Sequence, residues 1–330
     1  MAGFDAVPWM INDGPRHPGE VGRGLAYAAT NGAEGVSGVG DLKVTAQPVP
    51  NGSVQIMPGG ALLLNRYQGG AGQTYSLRCG TAATLQISPT GSSGGRNDLV
   101  IARILDPQYD PEYKNAAPPD PATFQYAYPT VIEGVAANAT VKSLGLGYPA
   151  IDLSRIALPA NTGTVTPAMI TDLRRIAQPR RDHNMFAVFP AANNNIPTNG
   201  YGPSWPITAG QRPSLYIPTW ATALTVVVTM SGIKYTKGNT STDTVAGIRT
   251  AFGSGSTWNY AENGILIQDA EDTGGRYPCL LIGKHTIPAS WRGTTQILDL
   301  QATRSSGSGI WTADYQTQVG IDIEFEETAA

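Results

Sequence analysis

Cysteine is almost missing from this chain, and its scarcity removes two classes of protein at once. Only Cys79 and Cys279 occur in 330 residues. No disulfide framework is available to them, and no Cys-x-x-Cys pair exists to hold a metal. Histidine is as sparse, with His17, His183 and His285 far apart and no His-x-x-x-His spacing. Charge is also scarce: 14% of residues are charged, and 22 basic against 25 acidic side chains give a formal balance of −3. A polyanion finds no electrostatic footprint there, so nucleic acid is not an expected partner. Long hydrophobic runs are lacking too. Trp220–Met230, the most apolar stretch, falls short of the ~20 residues that span a bilayer and is interrupted by Thr222, Thr225 and Thr229. Membrane insertion is not expected. The first ten residues hold neither a basic leader nor an apolar core, so the chain reads as made in a cytoplasm without a secretory signal.

Recognisable reaction motifs are absent as well. There is no G-x-G-x-x-G and no phosphate-cradling P-loop sequence. Gly91-Ser-Ser-Gly-Gly matches G-x-S-x-G with Ser93 as nucleophile, but a nucleophile elbow turns from a strand into a helix. This loop leads into a strand and reads as a hairpin turn. Paired carboxylates for cell-wall glycoside cleavage would have to converge from separate strands. No residue is nominated as catalytic or cofactor-binding.

Glycine (39) and proline (25) make up roughly a fifth of the chain and punctuate it every few residues, which predicts many short strands and turns. Three hundred and thirty residues suit about two domains. The first is organised around Arg96–Asp106, whose block of Leu99, Val100, Ile101, Ala102, Ile104 and Leu105 is too short for a helix and apolar on both faces. That is the pattern of a strand buried on both sides, stopped by Asp106-Pro107. Alternation over Leu42–Ala46, Val54–Ile56, Ala61–Leu64, Tyr75–Leu77, Thr84–Ile87, Thr130–Ile132 and Ile151–Leu158 supplies its neighbours. Thr166-Pro167 opens a predicted short helix ending by Gln178-Pro179, with Asp172 reaching Arg175 one turn on. The expected organisation is an extended arm over 1–24, carrying Trp9 and Met10; a β-rich module over 25–178; a linker over 179–185; and a C-terminal antiparallel β-sandwich, jelly-roll-like, over 186–330. In that last part Ile321, Ile323 and Phe325 alternate with Asp322, Glu324 and Glu326 as the clearest half-buried strand.

Two acidic groups have the oxygen ligands that calcium needs: Asp269, Glu271 and Asp272 in a loop, and Asp322, Glu324 and Glu326 on one strand face. A solvated turn and a charged outer face explain them as well, and no metal is assigned. The candidate glycan or partner contacts are aromatic. Trp258, Tyr260 and Trp311 stand among Gly and Ser in the second half, where a rigid plane offers area at low entropic cost. Tyr109 and Tyr113 lie in the long proline-rich connection 107–129, which reads either as a contact surface or as a loop pinned by its own rings.

An ordered series of segments carries a resemblance. Val54-x-Ile56-x-Pro58-Gly-Gly-Ala61-Leu-Leu is followed by Arg96-x-Asp98-Leu-Val-Ile-Ala-Arg103-Ile, then Ile132-x-Gly134-Val, Leu153-x-Arg155-Ile-x-Leu-Pro, and Ile170-Thr-Asp172-Leu-Arg174-Arg175. Over about residues 20–178 this resembles the N-terminal module of minor tail and baseplate proteins of long-tailed bacteriophages that infect actinobacteria. The resemblance implies a structural protein of the virion, at the tail tip, with other tail proteins as neighbours. It implies a homo-oligomer, most simply a trimer, whose C-terminal domain serves oligomerisation or meets the host surface. The rival readings are a carbohydrate-binding receptor-recognition module and, behind it, a cell-wall glycosidase.

Overall fold

The computed structural model describes residues 18–329, apart from positions 116, 118, 121, 199, 202 and 203 and the side chains at 262 and 263. Trp9 and Met10 of the expected arm lie outside the described residues. The chain is mostly β, built from antiparallel sheets. It divides into two compact units, one running to Pro179 and taking back Ala329, the other covering Arg180–Thr328.

In the first unit the strand Arg96–Ile104 is central, flanked by Ala150–Leu158 on one side and Ala127–Ile132 on the other. Both faces of it are covered. Val100 and Ala102 join a core with Val54, Ile56, Leu63 and Leu153, while Leu99 and Ile101 face a second cluster with Val141 and Ala150. Asp98 is fully buried on this strand, yet satisfied: Arg96 grips it through two 2.8 Å bonds and the Gly134 N–H donates at 3.1 Å. A buried carboxylate without such partners would cost several kcal/mol, on the order of 3 to 5.

Three sequence-based expectations are corrected in and around this unit. The predicted helix after Thr166 is one 3-10 turn, Pro167–Met169, followed by the strand Ile170–Asp172 paired with Ser154–Ile156. The extended path turns Arg174 inward, where its buried guanidinium bonds Asp172 and donates to the carbonyls of Val39, Asp41 and Ala329. Asp172 thus pairs with Arg174 and not with Arg175. Those tertiary bonds outweigh the apolar 3.6-residue spacing. Residues 19–24, expected in an extended arm, belong to a helix, Gly19–Thr30, closed by Asn31 in the left-handed conformation. The linker expected over 179–185 is largely a strand, Arg181–Val188, which pairs along its whole length with Gln318–Glu326.

The second unit packs two sheets over one core. In one, Arg181–Val188, Gln318–Glu326, Ala223–Thr236 and Gly275–Thr286 lie side by side, with Ile310–Ala313 against the far end of Ala223–Thr236. In the other the order is Ser214–Tyr216, Thr295–Ser306, Thr244–Ser254, Thr257–Gln268. The inward sets Leu224, Val226, Val228 and Ile321, Ile323, Phe325 meet Ile248, Phe252, Leu298 and Leu300 between the sheets. Two buried hydrogen bonds cross this core: Thr250 Oγ1 to His285 Nε2 at 2.8 Å, and Tyr235 Oη to Thr244 Oγ1 at 3.1 Å.

Candidate interaction surfaces

Strand register makes the outer face of the first of these sheets legible row by row. Thr286, Ala223, Glu326 and Arg181 form one row, and Lys284, Thr225, Glu324 and His183 the next. The charges in these rows are paired within the chain, Arg181 to Glu324 at 2.9 Å and Lys284 to Glu326 at 3.2 Å, while His183 reaches Asp322 at 2.6 Å. On the acidic strand face offered to calcium by the sequence, Glu324 and Glu326 are therefore paired with cations of neighbouring strands and Asp322 is hydrogen-bonded to His183. The other acidic group is engaged too: Asp272 accepts from Gly274 N–H, the Tyr277 hydroxyl and Gln268, and its carboxyl sits below the usual range chiefly because of the Tyr277 bond. Among the described residues no three His, Cys, Asp or Glu side chains converge as a metal site.

The next two rows change character. Ile282, Val227, Asp322 and Met185 are followed by Leu280, Thr229, Gly320 and Ala187. Gly320 keeps the middle flat, since a Cβ there would stand 2.7 Å from Thr229 Oγ1. At the edge, Leu280 and Ile282 remain 60% and 57% exposed, while their neighbour Leu281 is in the core. The adjoining strand Thr257–Gln268 does the same, with Leu266 buried but Ile265 and Ile267 exposed by 67% and 61%. Each of these two strands is the last of its sheet, and no hydrogen-bonded ladder joins them. They nevertheless touch, because a Cβ on Gly264 would meet Leu281 Cβ at 3.3 Å. Four branched aliphatic side chains thus stay exposed on the outer strands, Ile265 and Ile267 on one sheet and Leu280 and Ile282 on the other.

A bulge near Ile248/Arg249 puts Trp258 and Tyr260 on the outer face of the second sheet, with Tyr260 46% exposed and Trp258 half-buried. The Arg249 guanidinium lies between the rings of Tyr260, at 3.8 Å, and Tyr201, at 4.3 Å. Trp311 does not join them. It is 1% exposed, packed against Tyr235 at 5.2 Å in the core, so its nomination as a surface contact is corrected. The strand Ile310–Ala313 that buries it escaped notice because the surrounding Gly and Ser read as loop.

Tyr109 and Tyr113 are half-buried and belong to the first unit. Tyr109 stacks on Tyr67 and bonds Glu20 and Gln73, while Tyr113 meets Phe124 edge-on, and Phe124 meets Tyr126. The connection 107–129 is pinned by its own rings. In the same unit a cavity of about 140 Å³ contains Glu34 and Asp152. Burial raises the Asp152 carboxyl, and Glu34 is paired with Arg66 at 2.5 Å through Oε1 while its Oε2 is buried without a hydrogen-bond partner.

No protein-family profile matches the chain, and no characterised protein sequence matches it. Solved structures with a remote likeness include the VP2 subviral particle of infectious bursal disease virus, at 10% identity and TM-score 0.28, over 89% of this chain and 70% of that one. Another is the tandem CBM22 domain pair of Paenibacillus barcinonensis Xyn10C, at 8% identity and TM-score 0.22, over 87% and 96%. At such scores the likeness carries no functional argument.

Proposed function

We propose that this chain is a structural protein of a bacteriophage virion, a minor tail protein whose first unit docks at the tail tip or baseplate and whose second unit serves oligomerisation or host-surface contact. The observation that carries this reading is the surface of the second unit. On one outer sheet face Arg181 pairs with Glu324 and Lys284 with Glu326, the outer strands carry the exposed aliphatics Ile265, Ile267, Leu280 and Ile282, and among the described residues no three His, Cys, Asp or Glu side chains converge. Such a surface suits lasting contact with other protein better than turnover of a substrate. The ordered tail-module segments between residues 20 and 178 support the same reading and are the reason for proposing the tail. Self-association, threefold in the simplest case, belongs to this proposal, as does a position on the assembled particle.

The test is composition. Gradient-purified particles of a long-tailed actinobacterial phage encoding this chain should contain it in fixed ratio to other tail proteins, and its absence from intact particles refutes the reading.

A second reading, carbohydrate recognition, is favoured by one observation: Trp258 and Tyr260 present aromatic surface on one outer sheet face beside Arg249. Binding of the purified chain to host envelope glycans, lost with Tyr260→Ala, would support it.

A further inference from the structure

The outer face of the second sheet in the second unit is a trough. Its floor is the strand Thr244–Ser254, where Gly247, Ala251 and Gly253 face outward with little or no side chain and alternate with the core residues Ala246, Ile248 and Phe252. Register sets Ile265, Tyr260 and Trp258 beside them on one side, and Thr303, Asp299 and Ile297 on the other. One wall is therefore aromatic and aliphatic, and the other is largely polar. Tyr201 lies across the floor, since a Cβ on Gly247 would collide with its hydroxyl. A glycine inside a strand marks such a close approach. A chain of bonds fixes the rings in place. Asp299, 2% exposed, accepts from Gln301 Nε2 at 3.2 Å, which turns the amide so that its Oε1 accepts from Arg249 Nε and Nη2 at 3.0 and 2.9 Å. Arg249 in turn is held between Tyr201 and Tyr260. Rings fixed before a ligand arrives lose little freedom on binding. Beside Tyr201 the trough opens into a cavity of about 580 Å³, within the roughly 300–1,000 Å³ of ligand sites.

We infer that this trough takes an uncharged oligosaccharide, with one sugar ring seated in the cavity between Tyr201 and Ile265 and another against Tyr260. The inference rests on the carbohydrate reading above and names the ligand class and a second contact. The lining selects the chemistry. Among the described residues, none that lines the cavity carries a formal charge, and the nearby Arg249 cation is engaged by the two rings and Gln301. A charged sugar would give up hydration there without an ion to answer it. Thr303 stands across Gly247 from Ile265, and the hydroxyls of Tyr201 and Ser305 line the same space. Hydroxyls facing an aliphatic wall match a ring with C–H faces and an O–H rim. A wholly apolar ligand would strand those hydroxyls. Length follows from register. Gly247 and Ala251, opposite Ile265 and Tyr260, are four residues apart, about 13 Å along the strand. One sugar ring cannot reach both.

The experiment is isothermal titration calorimetry of the full chain with oligosaccharides released from the actinobacterial host envelope. Anion exchange divides them into an unretained, uncharged pool and a retained, anionic pool, used at equal mass. The wild type should bind the uncharged pool. Tyr201→Ala should weaken that binding by roughly tenfold or more. Tyr315→Ala, an exposed ring elsewhere in this unit, is the unaffected control. Circular dichroism reports whether the fold is kept. If Tyr201→Ala fails to fold, Ile265→Ser, which replaces a side chain of a residue 67% exposed, gives the same readout. Binding that is lost with Tyr260→Ala but indifferent to folded cavity variants overturns the inference and leaves the carbohydrate reading in place. Binding to the anionic pool alone does the same. Heat from neither pool overturns both.

Discussion

Lowering the pH from 7 to 4.5 should weaken the second unit through a single side chain, His285. It is fully buried, on the strand Gly275–Thr286, with Nε2 bonded to Thr250 of the opposite sheet and Nδ1 without a partner. Phe252, with its ring centroid at 6.0 Å, closes the site. Burial pulls its pKa down from 6.5 to about 4, and the Asn259 backbone offsets that only in part. The sign follows from proton uptake. Above pH 6.5 the ring is neutral in both states and has no effect. Between 6.5 and about 4 the unfolded chain takes a proton that the folded chain refuses, so stability falls with pH. The full loss is roughly 3 kcal/mol, and most of it is reached by pH 4.5. In urea that moves the unfolding midpoint by about 1 M for a unit of this size. The assay is tryptophan fluorescence, since five of the six tryptophans lie in this unit and Trp291 packs on Phe252 at 5.7 Å. Carboxylates titrate over the same range, so the readout is the wild type minus His285→Gln, which keeps a hydrogen-bonding group without the charge. Equal pH dependence in the two proteins would refute the reasoning.

Trp311→Ala should cost about 3 to 5 kcal/mol of stability, seen as a lower denaturation midpoint, because it empties a core site. Trp258→Ala and Tyr260→Ala should each shift that midpoint by less than about 1 kcal/mol, since exposed rings contribute little to folding; any loss they cause should appear only in adhesion to host envelope. Arg174→Ala should destabilise the first unit by about 3 to 5 kcal/mol, because Asp172 loses its partner and three carbonyls lose a donor. Arg174→Lys should recover only part of this, lacking the planar fork. Incubation with host cell wall should release no reducing sugar.

Much of the fold was legible because its strands obey period two. Ile321, Ile323 and Phe325 against Asp322, Glu324 and Glu326 read directly as one dry and one wet face, and the doubly apolar block at Leu99–Ile104 read as a central strand. What failed did so where long-range bonds decide local structure. Residues 167–178 carry helical spacing, but Arg174 satisfies carbonyls far away in sequence, and a helix would forfeit them. Gly19–Thr30 contains three glycines, each costing about 1 kcal/mol in a helix. It is held by Arg23 bonding Gln73 and Gln108 and by Glu20 bonding Gln108 and Tyr109, none of them a neighbour in sequence. Arg181–Val188 looked like a linker because His183 and Met185 face solvent and only Phe186 and Val188 reach the core. The exposed aliphatic side chains of the outer strands were hidden for the opposite reason. Ile265, Ile267, Leu280 and Ile282 look like core in any sequence, and only pairing register turns them outward.

The central claim is that this chain holds and is held within a particle, and a cryo-electron reconstruction of the purified virion addresses it most directly. The account predicts both units in the density at the tail tip, in several symmetry-related copies. A particle that lacks the chain, or one that carries it as an isolated copy, would contradict it.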